Sequence, residues 1–253
     1  MKYQTPNFFI AAAILVILTA PAYSQEHREV PNRAGAATTR PSAVTLRLGT
    51  SAVVVPAPAG YEEASSQFEN IRIRFTETEA PSNEMLLVHL LSSDCDLLRS
   101  GQAPTMAQYT KVSVLRTAKE QAFSQADLQA VVAEFRKNGA AMLDPNGPRM
   151  KAVLEHVEQA LKKVDSPDAT LDMSQPINMG EFEVSPNIYS VMILMSFKTN
   201  EGKMNPVLAA MSFMRVQERL LYVFSYRKYK LRTDVDTLRT FAKTWTASIL
   251  AAN

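Results

Sequence analysis

The spacing of apolar positions changes from helical to strand-like near Ile177. Before that point, apolar residues recur every three or four positions between Leu128 and Phe135, and again between Met150 and Leu161. This spacing predicts two helices that each bury one face. After Ile177, three apolar runs are separated only by short polar turns, which predicts antiparallel strands. These predicted strands span 188–197, 207–216 and 220–226.

Residues that typically begin or end a helix lie at both ends of the two predicted helices. A capping box is predicted at 124–127 (SQAD), and Asn138-Gly139 predicts the end of that helix. Pro148 predicts the start of the second helix, and the sequence Asp-Ser-Pro at 165–167 predicts its end. A last helix, capped by Thr233, is expected to bury one apolar stripe. The stripe comprises Val235, Leu238, Ala242, Trp245 and Ile249.

The first half of the chain adds further strands. Two short apolar runs, 44–48 and 52–55, flank a turn at Gly49, and another strand is expected at 112–114. The segment 85–91 is apolar at successive positions, which is typical of a strand buried on both faces. We therefore predict a single domain at 43–253 with an α+β fold, in which helices flank a mainly antiparallel sheet as a helix/sheet/helix sandwich.

Residues 1–24 have the pattern of a secretory signal peptide. Lys2 precedes an apolar run at 8–19, and the small residues Ala22 and Ser24 precede the expected cut. The run is shorter than the roughly 20 apolar residues of a membrane-spanning helix, so no transmembrane segment is expected after its removal. The polar residues 25–42 predict a flexible lead-in. A periplasmic or secreted location is the resulting expectation.

The net charge and the cysteine content of the chain limit which partners and which export route are expected. The formal net charge is +2, and removal of the single lysine at 1–24 would lower it to +1. A balanced chain has no general attraction to nucleic acid, so no nucleic-acid partner is predicted. Cys95 is the only cysteine and cannot form an intramolecular disulfide. The lack of a disulfide framework favours bacterial export over a eukaryotic secreted domain.

Three segments carry a resemblance to other proteins. They are VVVPAPAGY at 53–61, VHLLSSDCDLLRSG at 88–101 and the segment RLLYVFSYRKYKLRTDVDTLRTFAKTWTASIL at 219–250. They resemble a group of uncharacterised exported bacterial proteins, and their element order is similar to that of the PsbP-like sandwich. Proteins of that kind are mostly accessory or partner-binding factors, which is the function that the resemblance implies. It assigns no role to any individual residue.

Cys95 is the candidate nucleophile. The sequence Ser-Ser-Asp at 92–94 predicts the cap of a short helix, whose first turn would lower the pKa of the thiol. Two flanking aspartates oppose formation of the thiolate. Catalysis would also require His89 or His156 within hydrogen-bond reach of the sulfur. A packed, unreactive cysteine is the favoured interpretation, and a thiol-dependent hydrolase is the alternative.

Other patterns predict no catalytic, cofactor-binding or metal-binding residue. Ser225 and Lys228 match the S-x-x-K pattern, but side chains three apart on a strand point to opposite faces. None of the three histidines has a second ligand at metal-binding spacing, and His156 is expected at a solvated helix edge. Methionines in the last strands are interpreted as core rather than as copper ligands. These are Met192, Met195, Met204, Met211 and Met214.

The segment 226–232 (YRKYKLR), called the basic turn below, concentrates four positive charges and two tyrosines before the final helix. Such residues are common at interface anchors. The alternative is a solvated turn that keeps the sheet edge soluble. The predicted partner-binding residues are Tyr226, Arg227, Lys228, Tyr229, Lys230 and Arg232. The functional hypothesis is a non-enzymatic exported accessory protein that binds an anionic envelope component or protein.

Overall fold

The computed structural model describes residues 43–198 and 202–253. The predicted signal peptide at 1–24 and the predicted lead-in at 25–42 lie outside the described residues, and so does most of the predicted turn at 199–202. The strands in chain order are β1 (Ala43–Leu48), β2 (Ser51–Pro56), β3 (Tyr61–Glu63), β4 (Asn83–Leu91), β5 (Gln108–Leu115), β6 (Asp172–Met173), β7 (Ile177–Val184), β8 (Ile188–Lys198), β9 (Met204–Val216) and β10 (Arg219–Lys228). The helices are α1 (Glu69–Glu77), α2 (Ser92–Arg99), α3 (Gln125–Met142), α4 (Pro148–Val164) and α5 (Thr233–Ala251).

Eight of these strands form one antiparallel sheet in the order β3-β4-β5-β10-β9-β8-β6, and β7 pairs with the same edge of β8 as β6. The strands β1 and β2 form a separate hairpin. The three strands predicted in the last part of the chain are β8, β9 and β10, and they pair as antiparallel neighbours. The predicted α+β fold with a mainly antiparallel sheet is confirmed.

Both faces of the sheet are covered. Along β8, Tyr189, Val191 and Ile193 point into the core beneath the first four helices. Ile188 and Met192 point to the opposite face. Strands buried on both faces need apolar residues at successive positions, which explains the continuous apolar runs in the sequence.

The second face is covered by α5 and the β1–β2 hairpin. All five residues of the predicted α5 stripe are buried, and Leu238 and Ile249 are fully inaccessible. The indole Nε1 of Trp245 donates a hydrogen bond to the backbone oxygen of Pro56 at 2.9 Å. Trp245 therefore joins the last helix to the hairpin as well as to the sheet.

The start of α3 agrees with the prediction and its end does not. The Ser124 hydroxyl accepts a hydrogen bond from the Asp127 backbone nitrogen at 3.1 Å, and the Asp127 carboxylate accepts one from the Ser124 nitrogen at 2.7 Å. The helix does not stop at Asn138-Gly139 but continues to Met142. Gly139 is buried within α3 and lacks the positive φ that a glycine adopts when it ends a helix.

A buried ion pair ties the helical layer to the sheet. The Lys111 Nζ lies 2.7 Å from Glu79 Oε2, and both side chains are almost inaccessible. Ser113 also donates to this carboxylate, and Asn83 donates to its other oxygen. His156 hydrogen-bonds the Glu79 backbone oxygen at 3.0 Å. The expectation of a solvated edge for His156 is therefore wrong, because this bond holds α4 against the end of α1.

Candidate protein-binding surface

The backbone of the basic turn is held by one carboxylate. Asp234 accepts hydrogen bonds from the backbone nitrogens of Lys230 at 2.9 Å and Leu231 at 2.8 Å. It also pairs with Arg227 Nε at 2.8 Å. The predicted cap by Thr233 is wrong, since no side chain caps the helix from its N-cap position and Asp234 reaches back from the first turn instead. Hydrogen bonds to an ionised acceptor are about twice as strong as neutral ones, which makes a carboxylate suited to this role.

The same contacts set the ionisation of Asp234. The Leu231 and Lys230 backbone nitrogens, followed by the ion pair with Arg227, lower the pKa of Asp234 to about 2. The carboxylate is therefore ionised throughout the neutral range. Because its partners lie on both sides of the turn, the tip of the turn is preorganised.

Three consecutive side chains form that tip. Lys230, Leu231 and Arg232 are all exposed, and Leu231 is 66% accessible. An accessible leucine between two cations can bury apolar area while its neighbours meet negative charge. Arginine is common at interface anchors, whereas exposed lysines also keep sheet edges soluble, so both predicted roles of the turn fit this tip.

Further positive charge lies at the same end of the sheet. Tyr229 donates its backbone N–H to Pro206, which places the basic turn beside the start of β9. There Lys203 and Met204 are exposed, and Met204 pairs with the exposed Lys198 at the end of β8. We call the basic turn together with Lys198 and Lys203 the basic end. The interpretation of Met204 as core is wrong, because this residue is 50% accessible.

The structure places the other predicted binding residues inside or partly inside the fold. Tyr226 is completely buried and stacks on Tyr109 with ring centroids 4.7 Å apart, so it cannot contact a partner. Tyr229 is half-buried against α5 and the sheet. Side chains alternate along a strand, and β10 continues through Tyr226 to Lys228, which turns Tyr226 inward.

Arg227 and Lys228 are occupied by the protein itself. Besides its pair with Asp234, Arg227 donates from Nη1 to Gln108 Oε1 at 2.7 Å. Lys228 Nζ donates to the backbone oxygen of Thr105 at 3.1 Å. These two cations hold the turn against the start of β5. Lys230 and Arg232 are the charges of the basic turn that reach furthest into solvent.

A buried polar cluster of Asp94, Thr105 and Tyr61 lies next to the basic turn on the side of the protein interior. Asp94 Oδ1 accepts hydrogen bonds from the backbone nitrogen and hydroxyl of Thr105, at 2.8 and 2.9 Å. Burial raises the pKa of nearby Tyr61, and the positive charge of Arg227 partly opposes that rise. The cluster connects α2, β3 and the loop before β5. Its role is to position the backbone that Lys228 contacts.

Cys95 has the surroundings of a structural residue. It is fully buried in the helical layer, and burial followed by the charge of Glu62 raises the pKa of its thiol to about 12. His89 lies on the other face of the sheet, where its ring meets Trp245 at 5.6 Å and its Nδ1 bonds Thr110 at 3.0 Å. The thiolate that a cysteine nucleophile requires is therefore strongly disfavoured.

The remaining candidates are the S-x-x-K match, a metal site and a membrane-spanning helix. Ser225 of the S-x-x-K match is buried within β10. No group of three or more metal-ligating side chains occurs among residues 43–198 and 202–253. Within the same ranges, no helix has both the length and the apolar character needed to cross a bilayer.

The sequence interpretation missed one exposed feature, the edge strand β7. Its sequence INMGEFEV has no regular apolar alternation, because bulges interrupt the pairing with β8 near Met179 and Phe182. A groove of about 350 Å³ lies next to its end, between α3 and the β7–β8 turn. Only tertiary packing creates this groove, since its walls are far apart in the sequence.

No protein-family model and no curated protein matches the chain. Among solved structures, the chain is similar to the Saccharomyces cerevisiae Ran-binding protein Mog1p, with 11% identity and a TM-score of 0.38 over 83% of this chain and 93% of that one. A mutant of protein Mog1 gives 11% identity and a TM-score of 0.37 over 83% of this chain and 94% of that one. The predicted periplasmic or secreted location stands against these comparisons and is withdrawn, since the first of the two structures is described as a Ran-binding protein.

Proposed function

We propose that this protein is a non-enzymatic protein-binding module and that its basic turn contacts an acidic segment of a partner protein. The observation that carries the proposal is the preorganised tip, where Lys230, Leu231 and Arg232 stand exposed on a backbone held by Asp234. A preorganised surface loses little conformational entropy on binding. The buried thiol at Cys95 supports the non-enzymatic assignment.

Charge complementarity supports an acidic partner. The formal charge of the whole chain is only +2, whereas Lys198, Lys203, Lys230 and Arg232 are gathered as exposed cations at one end of the sheet. A local positive field speeds association with negative segments and favours one orientation of the partner.

Charge reversal at the tip tests the proposal. Lys230→Glu combined with Arg232→Glu removes the exposed charges and leaves the Asp234 contacts in place, because those contacts involve the backbone of Lys230 and Leu231. The probe is a fluorescent peptide of sequence Glu-Glu-Leu-Glu-Glu-Leu, measured by anisotropy in about 50 mM salt, where the screening length exceeds about 10 Å. We expect affinity to fall on the order of tenfold.

Matched controls separate local from general charge effects. Lys137→Glu with Lys151→Glu makes the same change of charge at exposed positions of α3 and α4. A peptide with glutamine in place of glutamate tests whether the peptide's charge matters. Equal affinities for the tip variant and the helix control would contradict the proposal.

A further inference from the structure

The two edges of the large sheet differ in how well they are protected. At one edge, β3 has only three residues, and Glu62 and Glu63 are buried. At the other edge, the eight-residue strand β7 pairs with β8 on one side, and no strand of the described residues pairs with its other side. An exposed edge presents unpaired backbone donors and acceptors, and an extended chain is the group that matches their spacing.

The side chains of β7 leave this edge open to a partner. Ile177, Met179 and Val184 are 56%, 38% and 60% accessible. Natural edges are commonly guarded by lysine, proline or bulges; β7 contains neither lysine nor proline, and its two bulges are the guard that it carries. Its two carboxylates bond to the protein itself, since Glu181 pairs with Arg136 at 2.7 Å and Glu183 accepts from Thr246 at 3.1 Å.

The groove beside the end of β7 offers space for an apolar side chain. Its volume of about 350 Å³ lies at the lower end of the range for ligand pockets. Leu128 and Val132 of α3 form one wall, and Val184, Pro186 and Tyr189 form the other. A side chain on a segment added to β7 would enter the groove next to Val184.

The other end of the bound segment, away from the groove, lies toward positively charged residues of the protein. Ile177 pairs with Leu194, and β8 then continues to Lys198, whose partner on the same edge is Asp172 of β6, so the start of β7 points toward the basic end. We propose that β7 accepts an extended segment of a partner protein as an added strand, with an apolar residue in the groove and acidic residues toward the basic end. The acidic end of this segment rests on the proposed function, whereas the added strand does not.

A second copy of the chain is a poorer occupant of this edge. Pairing with β8 shifts register twice within β7, between Asn178 and Gly180 and between Glu181 and Glu183. Bulges bend a strand and increase its twist, which prevents two rigid copies from pairing along their whole length. A short segment without its own fixed structure can follow the bend.

The test uses a peptide of eight residues, the length of β7. Its sequence is Val-Thr-Val-Thr-Val-Thr-Asp-Asp, which in antiparallel pairing places the aspartates toward the basic end. Amide hydrogen exchange should slow within residues 177–184 when the peptide binds. A control peptide with two central prolines cannot form the added strand and should give no protection.

Variants of the protein provide the second arm. Ile177→Glu with Val184→Glu places negative charges at exposed positions of the strand, where the fold has room for them and where they oppose the aspartates of the peptide. The matched control has the same change of charge, Ile73→Glu with Lys151→Gln, at exposed positions of α1 and α4. We expect the double variant to bind on the order of tenfold more weakly, by anisotropy of the labelled peptide, and the control to bind as the parent does.

The outcomes separate this inference from the proposed function. Protection of β7 by a peptide with asparagines in place of aspartates would support the added strand even if the acidic partner is wrong. Binding of acidic peptides with unchanged exchange in β7 would overturn the inference and leave the proposed function standing. Protection that appears without peptide and grows with protein concentration would also overturn it, because the edge would then pair with a second copy.

Discussion

At the scale of single residues, burial decides which chemically capable side chains are available. Tyr226 lies beside charged residues and was predicted to contact a partner, whereas Cys95 was predicted to be packed. Both are fully buried in the fold. Lys230 and Arg232, in contrast, project from a turn whose geometry depends on the carboxylate of Asp234.

We expect Cys95 to be unreactive and dispensable for binding. Burial raises the pKa of its thiol to about 12, so the native protein should react with iodoacetamide at neutral pH only as fast as it opens. Cys95→Ser should lower the free energy of unfolding by about 1–3 kcal/mol, because a hydroxyl is placed in an apolar site. Mass spectrometry of the labelled protein and urea denaturation measure the two effects.

We also expect Cys95→Ser to bind the acidic peptide as the parent does. Rapid modification of Cys95 in the folded protein would contradict the prediction that this thiol is unreactive. Alkylation of the urea-unfolded protein serves as the control for full labelling. A substrate turned over by the parent and not by Cys95→Ser would favour the thiol-dependent hydrolase.

At the scale of elements, α5 joins three parts of the fold. Its buried stripe packs on β8, β9 and β10, its first turn holds the basic turn, and Trp245 bonds the β1–β2 hairpin. The last helix therefore links the core to the candidate binding surface. A loss of packing along α5 would affect both stability and the geometry of the tip.

We expect Trp245→Ala to reduce the free energy of unfolding by about 3–5 kcal/mol. The indole is almost fully buried, so its removal leaves a cavity between α5, the sheet and the hairpin. Urea denaturation followed by circular dichroism measures the change. Lys243→Ala, two residues away on the exposed side of α5, should change stability by less than about 0.5 kcal/mol. Equal midpoints for the two variants would contradict the assignment of Trp245 to the core.

At the scale of the whole molecule, a polar network holds the helical layer on the sheet. Lys111 of β5 pairs with Glu79 beyond the end of α1, and His156 of α4 bonds the backbone of that same residue. A second ion pair, between Arg74 and Asp165, joins the same two helices at 2.7 Å. These contacts fix the positions of helices whose apolar faces alone would allow sliding.

We expect Lys111→Met to lower the free energy of unfolding by about 3–5 kcal/mol, because it leaves the Glu79 carboxylate buried without its cation. The combined variant Lys111→Met with Glu79→Gln should recover part of this loss, since no buried charge then remains. Urea denaturation of the single and double variants gives the coupling energy. A double variant that loses the full sum of the single effects would show that the pair is not coupled.

Much of the fold could be predicted from local pattern. The runs that became β8, β9 and β10 are long, apolar and separated by short turns, so their antiparallel pairing was foreseeable. Helix α1 was not predicted, because its inward face includes the charged Arg74, whose ion-pair partner Asp165 lies 91 positions away in the sequence. Asn138-Gly139 predicts a helix end from residue type alone, whereas the backbone of Gly139 lacks the positive φ of a helix stop and α3 continues through it to Met142.

The sequence by itself determined the α+β class, the buried stripe of α5 and the cluster of charge in the basic turn, because each depends on residues close together along the chain. Tertiary structure decided which of those charges remain accessible. Gln108 lies 119 positions from Arg227 and still binds it, and β5 and β10 bring the two side chains together. The groove beside β7 likewise exists only because α3 packs near the β7–β8 turn. Contacts between distant segments leave no local pattern, so the accessible tip and the open edge emerged only from the folded chain.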